Sequence, residues 1–187
     1  MCLVAALACA WTTPAAAEEP PTREYRVKAG FIVNFLHFVT WPPEAFEDGP
    51  DAGFAICIQG EDPFGSAFDA AVGKRVQGRS LTVRTIAESA DPAGCHVLFV
   101  STTDEDRMRA MLARARGKHA LTVSDAEDFV DAGGMVQFVD EWDALRREKK
   151  VRFEVNVTAA RADGLAMRSK LLRLATNVRG EWSEPGE

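Results

Sequence analysis

The clearest pattern along the chain is a strict alternation of apolar and polar residues, VRFEVNV, at residues 151–157. Successive side chains of a strand point to opposite faces, so this segment predicts a strand with one apolar and one polar face. Apolar residues recur at helical spacing from Leu171 to Ala175, behind Ser169, which is a favourable N-cap residue. We therefore predict a C-terminal helix that covers the apolar face of this strand.

The segment 25–39 predicts a helix that is apolar on more than half of its circumference. Its two apolar stripes consist of Val27, Phe31, Phe35 and Phe38, and of Ala29, Ile32, Leu36 and Val39. The helix should end near Trp41, because Pro42 disfavours a helical conformation at the preceding residue. Two interpretations remain open: a central core helix, or a helix whose outer stripe docks a partner subunit.

The remaining hydrophobic runs alternate between strand and helix patterns. Strands are predicted at residues 53–60, 80–86, 95–101, 120–123 and 135–139. Further helices are predicted after the N-cap Asp62 with Pro63, over residues 104–116, and after the capping box at 124–127. The segments 135–139 and 151–157 predict an antiparallel hairpin. Six strands and five helices in this order predict one α/β domain over residues 25–178, a sandwich with a mostly parallel mixed sheet.

The first 17 residues differ from the rest, because they contain no charged side chain and end in three alanines. An apolar run followed by small residues is typical of a signal peptide, so we predict cleavage after Ala17 and export to the periplasm. The basic segment that usually starts a signal peptide is missing. A lipoprotein modified at Cys9 and an apolar N-terminal core helix are the alternatives. Residues 18–24 and 179–187 are predicted to be a flexible and a frayed tail.

The charge balance excludes some classes of function. The chain has 28 acidic and 22 basic residues, a formal net charge of -6, whereas a general nucleic-acid-binding protein needs a basic surface. After the leader, no stretch approaches the roughly 20 apolar residues of a membrane span. These observations favour a soluble exported protein.

Two of the four cysteines, Cys57 and Cys95, remain after the predicted cleavage. Both lie on predicted buried strands, and in an oxidising compartment such a pair is first interpreted as a disulfide. The two positions are 38 residues apart, so the loop-entropy estimate of the stabilisation is about 4 kcal/mol. A redox site would be expected to have the C-x-x-C spacing, and a zinc site would need more ligands.

Catalysis has little support in the sequence. His37, His96 and His119 occur in three separate settings, without a shared acidic neighbour. No nucleophile-elbow or zinc-protease motif is present, and a phosphate loop after residue 60 is disfavoured by Glu61 and Asp62. We therefore expect a protein without catalytic residues, cofactor or metal. A periplasmic hydrolase is the third and weakest hypothesis.

Two groups of residues are candidates for binding. The polar face of the late strand could bind a small polar ligand or the backbone of a partner, or could be an ordinary solvated face. The first helix with its tryptophan could form a dimer or partner surface, since aromatic anchors often dominate interfaces. The candidates are Arg152, Glu154 and Asn156 on the strand, and Phe31, Phe35, Phe38 and Trp41 around the helix.

The ordered blocks KAGFIVNFLHFVTWPPEAF, ICIQGEDPFG, VQGRSLTV, CHVLFVS, LTVSDAEDFVDAGGMVQFV and VRFEVNVTAARADGLAMRSKLLRLA resemble the YfiR family of bacterial periplasmic proteins. The resemblance implies a six-stranded, five-helix α/β domain that is commonly dimeric and not catalytic. It also places Cys57 and Cys95 at the family's cysteine pair. A second pair beyond the Gly-Gly turn is absent here, where Gln137 occurs instead.

The best-known member of that family represses an inner-membrane diguanylate cyclase through the enzyme's periplasmic domain, which lowers cyclic di-GMP and biofilm formation. The resemblance therefore implies that this chain binds the periplasmic domain of a membrane signalling protein, a diguanylate cyclase or a sensor kinase, and could form a homodimer. The alternative is a small-ligand-binding module that serves a transporter, receptor or sensor kinase.

Overall fold

The computed structural model describes residues 21–46, 52–145 and 147–182. The leader predicted for residues 1–17 and residues 183–187 of the predicted tail lie outside these ranges. The described helices are α1 (Arg23–Phe38), α2 (Glu105–Ala115), α3 (Val157–Ala162) and α4 (Ser169–Leu172). The described strands are β1 (Val39–Thr40), β2 (Phe54–Gly60), β3 (Arg75–Val76), β4 (Arg79–Ile86), β5 (Val97–Ser101), β6 (Leu121–Ser124), β7 (Val136–Asp143), β8 (Glu148–Asn156), β9 (Ala166–Met167) and β10 (Asn177–Arg179).

The main sheet has eight strands in the order β10-β8-β7-β6-β5-β2-β4-β3. Its centre is parallel from β4 through β2, β5 and β6 to β7. Antiparallel neighbours flank this centre, with β8 beside β7 and β3 beside β4. The short strands β1 and β9 form a separate antiparallel pair. The predicted α/β class with a mixed sheet is therefore confirmed.

The central strands are buried on both faces. Along β5 the side chains alternate between two clusters, since Val97 and Phe99 belong to the cluster under α1 whereas Leu98 and Val100 belong to the cluster under α2. α1 contributes a fully buried stripe that includes Ile32. This arrangement explains why the segment 95–101 has a continuous apolar sequence rather than an alternating one.

The predicted numbers of six strands and five helices are wrong. The edge strands β3 and β10 and the short strands β1 and β9 were not predicted, and some predicted helices did not form. After Asp62 and Pro63 the chain makes a 3₁₀ turn, Gly65–Phe68, in place of an α-helix. The turn begins at Gly65, which has a φ of 46°, outside the helical region. Asp62 caps this turn locally, since its Oδ1 accepts a hydrogen bond from the Phe64 amide at 2.7 Å.

The capping box at residues 124–127 does not start a helix. Ser124 is fully buried, and its hydroxyl donates to the Val100 carbonyl at 2.7 Å while accepting from the Ala126 amide at 3.1 Å. The hydroxyl therefore joins β6 to β5 and stabilises a turn. After this turn, Gly134 lies so close to the Phe129 ring that a Cβ added at Gly134 would be 2.2 Å from the ring.

The late strand and the C-terminal helix also differ from prediction. The strand ends at Asn156 and Val157 already belongs to α3, because the Asn156 side chain caps this helix by accepting from the Ala159 amide at 2.9 Å. The predicted C-terminal helix is a single turn, α4. Ser169 is its first residue, and Arg168 occupies the N-cap position without a side-chain cap.

Candidate functional site

A cavity of about 640 Å³ opens at the edge of the sheet where the parallel strands β2, β4 and β5 begin. We call it the amino-edge cavity. Its volume lies within the range of small-molecule sites. It is lined by Glu44, Ala45, Phe46, Ala52, Gly53, Ala55, Ser80, Thr82, Arg84, Ala93, Gly94, His96, Gly117, Lys118 and His119.

One wall of the cavity is formed by β4. Ser80, Thr82 and Arg84 occupy alternate positions of this strand, so they share one face. Thr82 Oγ1 donates to the Phe54 carbonyl at 3.3 Å. An added Cβ at Gly53 would lie 2.5 Å from Ser80 Oγ, so glycine at that position leaves the wall open. The polar residues of the predicted alternating strand thus face the cavity.

The guanidinium of Arg84 lies against a disulfide between Cys57 and Cys95, whose Cα atoms are 5.8 Å apart. Arg84 Nε is 3.4 Å from Cys57 Sγ, and Nη2 is 3.6 Å from Cys95 Sγ and 3.3 Å from the Ala93 carbonyl oxygen. These contacts hold the guanidinium in one orientation at the cavity wall. The cystine therefore supports this wall as well as joining β2 to the start of β5.

His96 forms the inner wall and is only 4% exposed. Its Nδ1 accepts a hydrogen bond from the Ala55 amide at 3.2 Å, and its ring packs on the Phe46 ring with centroids 4.6 Å apart. Burial, followed by the nearby Arg79 guanidinium, lowers the pKa of His96 to about 4, against a weaker opposing effect of the Ala45 backbone. The imidazole is therefore neutral at pH 7.

The opposite rim contains Lys118 and His119. Lys118 Nζ pairs with Asp91 Oδ2 at 2.9 Å. His119 Nδ1 lies 2.8 Å from the carbonyl oxygen of Asp163, which requires the proton on Nδ1. His96 and His119 are thus brought to one cavity, contrary to the expectation of three separate settings. The sequence contains a signal for this, because each histidine lies just before one of two neighbouring parallel strands, whose starts meet at the same edge.

The aromatic candidates around the first helix lie mostly in the core. Phe35 is 1% exposed, and its ring and that of Phe31 pack on Phe153 with centroids 5.2 and 5.6 Å apart. Phe38 is half-buried beside Lys170. Trp41 is buried behind the cavity, where its Nε1 donates to the His96 carbonyl at 3.1 Å. The structure thus uses Phe35 and Trp41 for packing, and a partner role of this stripe stays a prediction.

The three polar candidates on β8 share one face but have different surroundings. Arg152 is exposed and pairs with Glu141 at 2.7 Å. Glu154 is half-buried between the two neighbouring strands, opposite Gln137 and Asn177. The side chain of Asn156 caps α3 and donates to the Val130 carbonyl at 3.2 Å.

The outer half of the β7–β8 hairpin projects beyond its neighbouring strands. β6 pairs with β7 only at residues 136 and 137, and β10 pairs with β8 only at residues 154–156. At the end of this hairpin Trp142 is 62% and Leu145 is 97% exposed. We call these two residues the hairpin tip. The sequence analysis missed them, because Trp142 lies in a charged segment that carries no strand pattern.

Within the described ranges, His, Cys, Asp and Glu form no group of three or more that could hold a metal ion. No helix in these ranges has the length and apolar character needed to cross a membrane.

Among solved structures, the chain is similar to a conserved domain protein from Vibrio cholerae O1 biovar El Tor strain N16961, with a TM-score of 0.52 and 12% sequence identity. The similarity covers 83% of this chain and 60% of the other, so this chain spans less than two thirds of that protein. At this identity the likeness shows the fold alone. A comparison with curated proteins found no match.

The YfiR/HmsC-like family model matches residues 25–176, which include the described helices apart from the first two residues of α1, and all described strands except the last. The match spans both walls of the amino-edge cavity and the β7–β8 hairpin. This chain therefore belongs to the YfiR/HmsC-like family.

Proposed function

We propose that this protein is a periplasmic regulatory protein that acts by binding and not by catalysis. The observation that carries the proposal is the family match over residues 25–176, since membership of the YfiR/HmsC-like family suggests a periplasmic regulatory role. The disulfide between Cys57 and Cys95 fits an oxidising compartment. The setting of His96 fits a protein that does not catalyse a reaction. Its Nδ1 already accepts a hydrogen bond from the Ala55 amide, so the neutral imidazole is poorly placed as a general base.

The proposed partner is the periplasmic domain of an inner-membrane diguanylate cyclase. A regulator of this kind represses by binding the inactive arrangement of its partner more tightly than the active one, which shifts the equilibrium between the two. The output is a lower concentration of cyclic di-GMP while the complex persists. A sensor kinase is the second possible partner, and it would be recognised by its effect on phosphorylation instead.

The proposed contact surface is the hairpin tip together with Arg152. An exposed tryptophan is a frequent anchor of protein interfaces, and Trp142 lies on a two-stranded projection that can enter a concave partner surface. The antiparallel pairing of β7 with β8 runs to Asp143 and Glu148 and holds this hairpin together. The exposed cross-strand ion pairs Lys149–Asp140, at 3.0 Å, and Arg152–Glu141, at 2.7 Å, add to this pairing.

Deletion of the gene is expected to raise the cellular concentration of cyclic di-GMP. Expression of the wild-type chain in the deletion strain is expected to return this concentration to its original low value. The double variant Trp142→Ala, Leu145→Ser should accumulate as a folded protein but should not lower cyclic di-GMP, because the partner can no longer bind the Trp142 side chain. Cyclic di-GMP is measured by mass spectrometry of cell extracts, and co-purification with an envelope GGDEF protein provides a second measurement.

The matched control is Val72→Ala, which truncates another exposed apolar side chain, 49% exposed, at a position outside the hairpin. Unchanged cyclic di-GMP after gene deletion would exclude the cyclase as partner. Full restoration by the double variant would instead exclude the hairpin tip as the contact surface.

A second candidate function, a small-ligand-binding module for a transporter, receptor or sensor kinase, is favoured by the amino-edge cavity. The cavity combines a fixed guanidinium, two strand hydroxyls and an aromatic wall, which is the mixture of polar and apolar groups found in ligand sites. The two functions are compatible, because a ligand in the cavity could bias partner binding.

A further inference from the structure

We infer that the amino-edge cavity binds a small organic monocarboxylate, whose carboxylate is held by the guanidinium of Arg84. This inference gives the second candidate function a ligand class, and it does not depend on the diguanylate cyclase as partner. It is argued from the donors of the cavity, from its charge balance and from its size.

Arg84 is prepared for an anion before any ligand arrives. Its Nε and Nη2 already contact the two sulfurs and the Ala93 carbonyl, while Nη1 has no hydrogen bond to any residue in the described ranges. The Ala93 carbonyl accepts one Nη2 hydrogen bond. Sulfur is a weak acceptor, so the contacts with the two sulfurs leave the guanidinium with donor capacity for a ligand. A planar guanidinium in one orientation is the side chain best suited to bind a carboxylate.

The same strand supplies a second donor. Ser80 lies on the same face of β4 as Arg84, and its hydroxyl makes no hydrogen bond within the described part of the chain. Gly53 keeps the space in front of this hydroxyl open. Ser80 and Arg84 are four residues apart, roughly 13 Å along the strand, so the Ser80 hydroxyl would contact the body of the ligand and not the carboxylate held by Arg84.

The charge balance of the cavity favours one negative charge and not two. Lys118 is neutralised by Asp91, and His96 is neutral at pH 7. Arg84 lines the cavity as a cation, and Arg79 lies beside the lining, with its guanidinium 3.8 Å from the centre of the Phe46 ring. Among the described lining residues, Glu44 is the opposing carboxylate. Two arginines and one carboxylate leave one positive charge among these described groups, which disfavours dicarboxylates and phosphates.

The size and the remaining lining favour a ligand with an apolar body. Ala45, Ala52, Ala55 and Ala93 leave most of the 640 Å³ open beside the half-buried Phe46 ring. A short alkyl or aryl group attached to the carboxylate would remove these side chains from water.

The test uses the exported chain with acetate, butyrate, benzoate and 3-phenylpropionate at about 10 mM, where a ligand with a Kd near 1 mM nearly saturates its site. The matched neutral probes are the primary amides of the same acids, and inorganic phosphate is the dianionic probe. Binding is measured by the shift of the unfolding temperature and by amide chemical-shift changes. At least one carboxylate with an apolar body should bind with a Kd of about 1 mM or below, and its amide should not.

Arg84→Gln should weaken this binding by about tenfold to a hundredfold, because a charged hydrogen-bond pair is lost. Arg84→Lys should restore only part of it, since lysine keeps the charge but loses the planar fork. Ala93→Phe, which keeps the backbone carbonyl and places a ring among the lining residues, should abolish it. Arg26→Gln is the control, because it removes an exposed arginine of α1, a helix that does not line the cavity.

Absence of binding by all four carboxylates would overturn the inference. Equal binding of a carboxylate and its amide, tighter binding of phosphate, or unchanged affinity in Arg84→Gln would also overturn it. These results leave the proposed function in place, because cyclic di-GMP after gene deletion is measured independently of any added ligand.

Discussion

At the scale of single residues, the fold contains buried polar groups that the hydrophobic pattern does not reveal. Lys28 lies in the first helix with its side chain only 5% exposed, and its Nζ pairs with Asp125 at 2.6 Å and with Glu24. Burial alone would lower the pKa of Lys28, but the hydrogen bonds with Asp125 and Glu24 outweigh it, so the pKa is raised. The partner Asp125 comes from the turn after β6, almost 100 residues away, which explains why sequence reasoning could not find it.

His96 predicts a specific pH dependence of stability. Its pKa is lowered to about 4 by burial, then by Arg79, whereas in the unfolded chain it should be near 6.5. Between these values the unfolded chain binds the extra proton, so the free energy of unfolding falls as the pH falls. We expect His96 alone to lower the free energy of unfolding by roughly 3 kcal/mol between pH 6.5 and pH 4.

The measurement is urea unfolding of the wild type and of His96→Asn across this pH range. The variant should be less stable at pH 7 but should lose less stability on acidification. His37→Asn is the control, because His37 is exposed on α1. Parallel pH profiles of the wild type and His96→Asn would contradict the prediction.

At the scale of secondary structure elements, prediction succeeded where burial or a local helix cap determines the pattern. The alternation at residues 151–157 marks β8, and the capping acid Asp104 with the following helix marks α2, whose first-turn amide of Arg107 bonds to Asp104 at 2.9 Å. Prediction failed where a side chain had two possible partners. Ser124 could cap a helix or join two strands, and the choice depends on the distant Val100 carbonyl.

Asn156 offers a test of how one side chain ends a strand and starts a helix. Asn156→Ala should lower the free energy of unfolding by about 1 to 2 kcal/mol, because the α3 cap and the hydrogen bond to the Val130 carbonyl are both lost. Urea unfolding at pH 7 measures the change. Asn34→Ala makes the same chemical change at an exposed position of α1 and should have little effect. An equal effect of both substitutions would show that Asn156 has no special role.

At the scale of the whole molecule, the site depends on topology and therefore could not be predicted in full. The α/β class follows from the order of the elements. The meeting of His96, His119 and Arg84 at one edge requires the strand order, in which β2 lies between β4 and β5. His96 and His119 were considered separately in the sequence analysis, which did not single out Arg84, and only the sheet brings the three residues to one cavity.

The disulfide should contribute to the stability of the entire fold. Replacing both Cys57 and Cys95 by alanine should lower the free energy of unfolding by about 4 kcal/mol, the loop-entropy estimate for a separation of 38 residues. Reductant should destabilise the wild type by a similar amount and leave the double variant unchanged. Urea unfolding with and without reductant measures both effects. A wild type that is insensitive to reductant would contradict the prediction, provided that thiol titration shows complete reduction.

Within the described ranges, no strand pairs with the outer half of the β7–β8 hairpin described above, so its outer backbone hydrogen-bonding groups have no strand beside them there. Bare strand edges of this kind are templates on which further chains can add and grow into fibrils. Here the outer part of β7 carries acidic side chains and that of β8 carries mainly basic ones, and their solvation opposes the approach of another chain. A concentrated solution of this protein should therefore remain free of fibrils as long as these side chains stay charged.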